Sequence, residues 1–290
     1  MASNVWFIAG ASCGFGRAIC LEALKRGDKV VATSRNLSKM ADLEEAGALV
    51  LALDVTSDDT TIQAAFQKAI DTYGKITHCI NPVGYILEGS AEEASTQEVF
   101  NQFNTNVLGV MKITRHALYH MRPRRQGVIA NFGSLVNWQG IPGAIYYSST
   151  KSAVTGFTET MHREVSPFGI SAVIIEPGFF RTEIFEDGGS NRIRVAKPLT
   201  DEYKNTPVDE TRNHFNILHK HQPGDVVKGA KVIVDVLTQT GVAEGKKIPP
   251  RLVLGRDTFE AIKDKIHSIE VLIKEWEDII VSTDHDDIKK

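Results

Sequence analysis

The sequence predicts an α/β fold: a single domain built on a doubly wound, mostly parallel sheet with helices on both faces. Three observations carry that prediction. Short apolar runs alternate with longer amphipathic ones through roughly the first 180 residues, the pattern of repeated β-α units. Those short runs are almost continuously apolar, so the strands must be covered on both sides. A chain of 290 residues, 42% apolar and 24% charged, is long enough to bury a substantial core as one soluble unit.

The elements follow in order. "NVWFIAG" reads as the first strand and "RAICLEALKRG" as a helix stopped by Gly27. "DKVVATS" is a second strand and "ALVLALDV" a third. "SDDTTIQAAFQKAIDTYG" has the polar start and glycine stop of a helix, and the strand "KITHCIN" follows it. A helix through "VFNQFNTNVLGVMKITRHALYHM" leads to the strand "GVIANFGS". A further helix through "YYSSTKSAVTGFTETMHREV" leads to the strand "GISAVIIEP". After Gly178 the character changes: positions 179–223 are polar and weakly periodic, and read as a substrate loop or lid. The helix "GDVVKGAKVIVDVLTQTG" and a last strand, "PRLVLG", close the sheet.

An amphipathic helix is predicted over 257–281. Phe259, Ile262, Ile266, Ile269, Ile273, Trp276 and Ile280 recur at alternating intervals of three and four, an a/d heptad seam about three heptads long. The first reading is a helix docked on its own domain; a homo-oligomer seam is the alternative.

Composition excludes several function classes. A net charge of −3 gives no electrostatic reason for a nucleic-acid or anionic-membrane partner. The basic cluster "MRPRRQG" reads as a solvated helix end. Cys13, Cys20 and Cys79 are too few and scattered for a disulfide framework or a zinc site, and read as reduced thiols. No apolar run has the length of a membrane span, and the N-terminal one is too short for a signal peptide. The expectation is a soluble, cytoplasmic protein.

Between the first strand and helix lies "AGASCGFG", with Gly10, Gly14 and Gly16 spaced G-x-x-x-G-x-G. Glycines there allow a tight turn and let a pyrophosphate approach a helix N-terminus, where free N–H groups favour anions. The spacing differs from G-x-G-x-x-G, and a ligand-free tight turn is the bland alternative. Beyond the second strand, "ATSRN" offers no carboxylate for a ribose 2′-hydroxyl. Arg35, beside Thr33 and Ser34, suits a 2′-phosphate, which favours NADP over NAD.

"AIYYSSTK" holds two tyrosines and a lysine. Residues four apart share a helix face, so Tyr147 rather than Tyr146 partners Lys151. A nearby ammonium favours the phenolate and is expected to depress the Tyr147 pKa, making it a general acid or base.

Together these features resemble the short-chain dehydrogenase/reductase family over nearly the whole chain. The matches are the glycine loop, "LDVT" with Asp54, "NTNVLG" with Asn106, Ser134 thirteen residues before Tyr147, Lys151 and "EPGFFRT". The resemblance implies a Rossmann-like fold and an NADP(H)-dependent oxidoreductase acting on a ketone, or on the alcohol, of a hydrophobic small molecule. Tyr147 protonates the carbonyl oxygen and Ser134 hydrogen-bonds it. Lys151 holds the nicotinamide ribose, and Asn106 orders a water leading to Lys151. The cofactor is further assigned to Gly10, Ser12, Gly14, Phe15, Gly16, Ser34, Arg35, Asp54, Asn81, Gly84, Pro177, Gly178 and Thr182. No metal is called for. The alternatives are non-redox chemistry on the same scaffold, with the cofactor kept structurally, and a nucleotide sensor without turnover.

Two departures from the family pattern stand out: "NPVG" at Asn81–Gly84 in place of N-N-A-G, and Ala9 where a threonine is usual. Pro82 has no N–H to offer and Ala9 no hydroxyl to accept it, so the two changes compensate each other. His116 and His120, four apart, lack the glutamate of H-E-x-x-H and read as helix-surface residues; His214, His219 and His221 read as solvated. Trp138, Tyr146, Phe179, Phe180 and Phe185 are aromatic candidates for lining an apolar pocket, or for core packing.

Overall fold

The computed structural model describes residues 3–285 and 287–288; the remaining positions of the expected 1–290 domain lie outside the described residues. The strands are β1 (Val5–Ala9), β2 (Lys29–Ser34), β3 (Leu49–Ala52), β4 (His78–Asn81), β5 (Ile86–Glu88), β6 (Gly127–Phe132), β7 (Ile170–Pro177), β8 (Arg192–Arg194) and β9 (Arg251–Leu254). The helices are α1 (Gly14–Lys25), α2 (Ala41–Glu45), α3 (Asp59–Tyr73), α4 (Thr96–Phe103), α5 (Val110–Met121), α6 (Ile145–Val165), α7 (Pro207–Leu218), α8 (Val226–Thr238) and α9 (Arg256–Val281).

Seven strands form one sheet in the order β3-β2-β1-β4-β6-β7-β9, and every pairing in it is parallel. The order reverses between β1 and β4, which opens a crevice at the carboxyl ends of those strands, the place where open α/β sheets take ligands. Alternation along each strand divides the core. Phe7, Val31, Cys79 and Ile129 face Ile62 and Phe66 of α3 and Ile113 of α5. Trp6, Ile8, Val30 and Ile80 face Ile19 of α1 and Ile233 of α8. Both faces are dry, as the near-continuous apolar strands require. Trp6 and Phe7 are wholly buried, each contributing about 1.5–3 kcal/mol of transfer free energy.

Local sequence sets the element ends. Asp58 caps α3 by accepting from Thr61 N at 2.8 Å, and Gly74 closes it with a φ of 74°. Ser95 and Glu98 form a reciprocal capping box on α4. The single helix expected through Val99–Met121 is interrupted at Asn104–Gly109 by a π-helical turn carrying "NTNVLG". Such turns widen a helix by one residue and re-aim its side chains.

Three expectations are corrected. Segment 179–223 is not irregular: it contains β8, which pairs in parallel with β5, and the helix α7, started by Pro207. Its weak periodicity reflects a helix with only Val208 and Phe215 buried. α9 is docked on its own domain only at its start, where Thr258 and Ala261 are buried; every described residue from Lys263 onward is exposed. His116 is no surface residue either, being 5% exposed with Nε2 3.2 Å from Asp59 Oδ1.

Candidate active site

The β1-α1 turn shows why its glycines stand where they do. Gly10 and Gly14 have φ values of 78° and 53°, which L side chains rarely adopt. Gly16 is required for a different reason, since a Cβ there would lie 2.2 Å from the Gly10 carbonyl oxygen. The turn therefore brings the α1 N-terminus flush against the end of β1, with its first N–H groups facing the crevice. Ser12, Gly14, Phe15 and Gly16 all line a cavity of about 1270 Å³ that runs along the sheet's carboxyl edge. The Phe15 ring itself turns inward, 4.9 Å from the Phe180 ring and 5.5 Å from that of Phe132.

One wall of this cavity gathers Ser134, Tyr147 and Lys151. Ser134 ends the turn after β6, its backbone extended and its Oγ accepting from Val136 N at 3.3 Å. Tyr147 and Lys151 sit one turn apart on α6, with Nζ 5.6 Å from the Tyr147 ring centroid. Lys151 is 5% exposed and donates to Phe132 O at 2.8 Å. Burial pulls its pKa down to about 8.

The expectation that Lys151 depresses the Tyr147 pKa is corrected. Burial pushes the phenol up to about 12, opposed only by a hydrogen bond to Ser134. The ring shows part of its surface to the cavity, but the hydroxyl is desolvated, and the lysine ammonium is directed at a backbone carbonyl. Tyr147 is thus held protonated at neutral pH, the state of a proton donor.

Asn106 lies behind this wall, in the π-helical turn, and does not line the cavity. It is wholly buried; its Oδ1 accepts from Tyr85 N at 3.1 Å, while Nδ2 donates to Tyr85 O at 2.9 Å and Thr150 Oγ1 at 3.1 Å. A Cβ at Gly84 would come within 3.3 Å of Asn106 Oδ1 and 3.4 Å of Lys151 Nζ, so Gly84 is the narrow partition beside both. The Asn81 side chain is not brought to the cavity. Its Nδ2 donates to Asn131 Oδ1 at 2.7 Å and to Thr114 Oγ1 at 3.2 Å, inside the core.

At the other end of the cavity stand Ser34, Arg35 and Asp54. Asp54 is turned partly inward, its Oδ1 accepting from both Thr56 N and Thr56 Oγ1 at 2.8 Å. Sequence reasoning stopped at Arg35 and missed Asn36, Ser38 and Lys39, which line the same end. Asn36 caps the following turn by accepting from Ser38 N at 3.0 Å. Arg35 and Lys39 are exposed and, among the described residues, have no ion-pair partner, whereas Arg17 beside them is paired with Asp42. The readable signal was the continuation "NLSK".

Pro177, Gly178 and Thr182 form the lip between the two regions. Gly178 N donates to Leu254 O at 2.9 Å, and Phe179 N to Asp257 Oδ2 at 2.6 Å. The first turn of α9 thereby holds the lip in place. Cys13, also missed, reaches the cavity with Sγ 3.6 Å from Asn191 Nδ2, its thiol pKa raised by burial.

Beyond Tyr147 an apolar cluster lines the cavity, with Glu183, Glu186, Asp187, Ser190 and Asn191 also on its lining. Ile86, Ile141 and Ala144 meet Phe179, Ile184 and Phe185 of segment 179–223, the flap over this end, and Phe215 of its helix α7. The Phe185 and Phe215 rings stack at 4.7 Å. Phe179, Phe180 and Phe185 therefore line the cavity as anticipated, and Phe215 joins them. Trp138 and Tyr146 do not: Arg251 lies 4.8 Å over the Trp138 ring, and Tyr146 OH donates to Ala91 O at 2.6 Å. Beneath Ser134, Asn137 and Arg251 both donate to the wholly buried carboxylate of Glu176, which ties the β6, β7 and β9 ends together.

Comparison with known proteins bears on the family and the fold. A family model described as short chain dehydrogenase matches residues 4–192. The oxidoreductase BOA17 of Botryotinia fuckeliana (strain B05.10) is 29% identical over 290 residues, covering 97% of this chain and 99% of its own. A crystal structure of a short-chain dehydrogenase from Streptomyces avermitilis superposes with a TM-score of 0.86 at 33% identity, covering 98% of this chain and 100% of that one. ElxO with NADP bound superposes with a TM-score of 0.67 at 25% identity, covering 88% and 97%.

Proposed function

The chain belongs to the short-chain dehydrogenase family, and from that premise we propose that it is an NADPH-dependent reductase of a ketone on a hydrophobic small molecule. One observation carries this reading: Ser134, Tyr147 and Lys151 share a wall of a single cavity that has Arg35 and Lys39, without ion-pair partners among the described residues, at one end and aromatic lining at the other. The cavity exceeds the ~300–1,000 Å³ of an ordinary ligand pocket, which suits a dinucleotide and a substrate side by side.

The residues present fit the cofactor. The α1 N-terminus, opened by glycines where a Cβ would intrude, receives the pyrophosphate. Arg35 and Lys39 take the 2′-phosphate, with Ser34 and Ser38 beside them. Lys151 takes the nicotinamide ribose, and Asp54 lies toward the adenine. When bound, the nicotinamide supplies a hydride to the carbonyl carbon.

The chain's own groups then act on the carbonyl oxygen. Tyr147 donates its phenolic proton as negative charge develops there. Ser134 donates a hydrogen bond to the same oxygen, in a site dry enough to make that bond strong. Asn106 steadies the backbone at Tyr85, beside Gly84 and Lys151. The aromatic end selects for bulk and against polarity. Three free thiols fit a reducing, cytoplasmic setting.

The decisive experiment titrates the purified protein with NADPH and, in parallel, NADH. NADPH is expected to bind at least tenfold tighter, and Arg35→Asp to reverse most of that preference. Equal binding of both nucleotides removes the phosphate assignment, and binding of neither removes the redox reading.

A further inference from the structure

α9 is a long helix with nothing against it beyond its first two turns. Its first turn is anchored through Asp257 and Ala261, but the 19 residues from Lys263 to Val281 are all exposed, a rod of about 28 Å. Along it run Ile266, Ile269, Ile273, Trp276 and Ile280, each 44–52% exposed. An isolated helix of this length is marginal in water, and a contiguous apolar stripe on a soluble protein marks an interaction surface.

We infer that this stripe is the interface for α9 of a second copy of the chain, the two helices running antiparallel. The heptad register places Ile266, Ile273 and Ile280 at a, and Ile269 and Trp276 at d. Antiparallel pairing sets a against d, seating Trp276 on Ile266 of the second copy and Ile269 on its Ile273. Flanking positions decide the direction. Leu272 and Ile279 at g widen the stripe on one side, and antiparallel helices meet g to g, so Leu272 lies against its counterpart. Parallel pairing would instead oppose Leu272 to Glu277 and Ile279 to Asp284.

On the other flank, antiparallel pairing sets Lys263 opposite Glu277 of the second copy, twice by symmetry. Two contacts are unfavourable: Glu270 meets its own counterpart at the axis, and Ile279 meets Lys265 of the second copy on the g flank, where only the lysine's aliphatic stem packs on it. Seven half-exposed large side chains at roughly 100 Å² each offer about 700 Å² per chain, near the ~800 Å² per partner of a stable interface. A lipid surface is the poorer occupant, because Phe259–Val281 carries three lysines against six acids, whereas membrane-surface helices are rich in Lys and Arg.

The test is the solution mass of the full-length protein by sedimentation velocity, alone and with phosphatidylcholine–phosphatidylserine vesicles. The wild type is expected at a multiple of 31.9 kDa, and the Ile269→Glu, Ile273→Glu double variant at half the wild-type mass with an unchanged melting temperature for the remaining domain. Lys263→Glu should weaken self-association about threefold or more, and adding Glu277→Lys should restore it. A monomeric wild type, a double variant of unchanged mass, or a wild type that is monomeric in solution yet pellets with vesicles would each overturn the inference.

Discussion

Tyr147 is placed between two opposing effects: burial, which raises its pKa to about 12, and the Ser134 hydroxyl, which lowers it. The balance keeps the phenol protonated and its proton available in one direction, into the cavity. Tyr147→Phe removes that proton while preserving the ring's packing with Ile86 and Phe185. Reduction should fall by about 10²–10⁴-fold with NADPH affinity little changed. Single-turnover kinetics beside a fluorescence titration check this, and unaltered turnover would end the assignment. Ala9 poses a second test. It is wholly buried at the end of β1, in the core, where Pro82 at the end of the neighbouring β4 has no N–H to give. Ala9→Thr should therefore strand a hydroxyl and lower stability by about 1–3 kcal/mol rather than raise it. A higher melting temperature for that variant contradicts the compensated-pair reading.

At the scale of elements, the flap over the apolar end is held by charge as well as by rings. Arg192 of β8 is wholly buried; Nε donates to Glu88 Oε2 of β5 at 2.5 Å, Nη1 to Phe185 O at 2.9 Å and Nη2 to Asn216 Oδ1 at 2.7 Å. One guanidinium thus joins β5, the Phe185 turn and α7. Removing one partner of a buried pair leaves an uncompensated charge, whereas replacing both with apolar groups is milder. Glu88→Gln should destabilise by about 3 kcal/mol and speed proteolysis within 185–218, and adding Arg192→Met should recover part of the loss. Limited proteolysis and thermal melts read both effects; a double variant no more stable than the single one would show that the pair does not act as a unit. The flap was legible in sequence only as a polar stretch, because its buried side consists of few residues and the pairs that tie it down, Glu88–Arg192 and Glu93–Arg212, join positions more than a hundred apart.

At the scale of the molecule, the parallel sheet supplies both the crevice and the dryness around it. Desolvation is a collective property, and it moves Lys151 from its ordinary 10.5 to about 8. The ammonium is present below pH 8 and is lost as pH rises through it, while Tyr147 stays protonated until about pH 12. The kcat/KM for reduction reports the free enzyme, and should decline above pH 8 with a single titrating group. A profile flat to pH 10, or one unchanged in Lys151→Arg, would show that this charge does not matter. Among the described residues no helix is long and apolar enough to cross a membrane, and α9 carries a row of exposed large apolar side chains.

The β-α order, the glycine turn, the one-turn spacing of Tyr147 and Lys151 and the amphipathic helix over 257–281 were legible in the chain's own pattern. All of these are set by chain-local periodicity, by φ values that only glycine adopts readily, or by helix pitch. Tertiary structure alone decided what long-range packing controls. It turned Asn81 into the core and Asn106 behind the wall, and raised the Tyr147 pKa where a lone Tyr-Lys pair would lower it. It also added Lys39 and Phe215 to the cavity, and left α9 clear of its own domain from Lys263 onward. Burial and dielectric depend on which distant segments close over a residue, and local spacing holds no record of that.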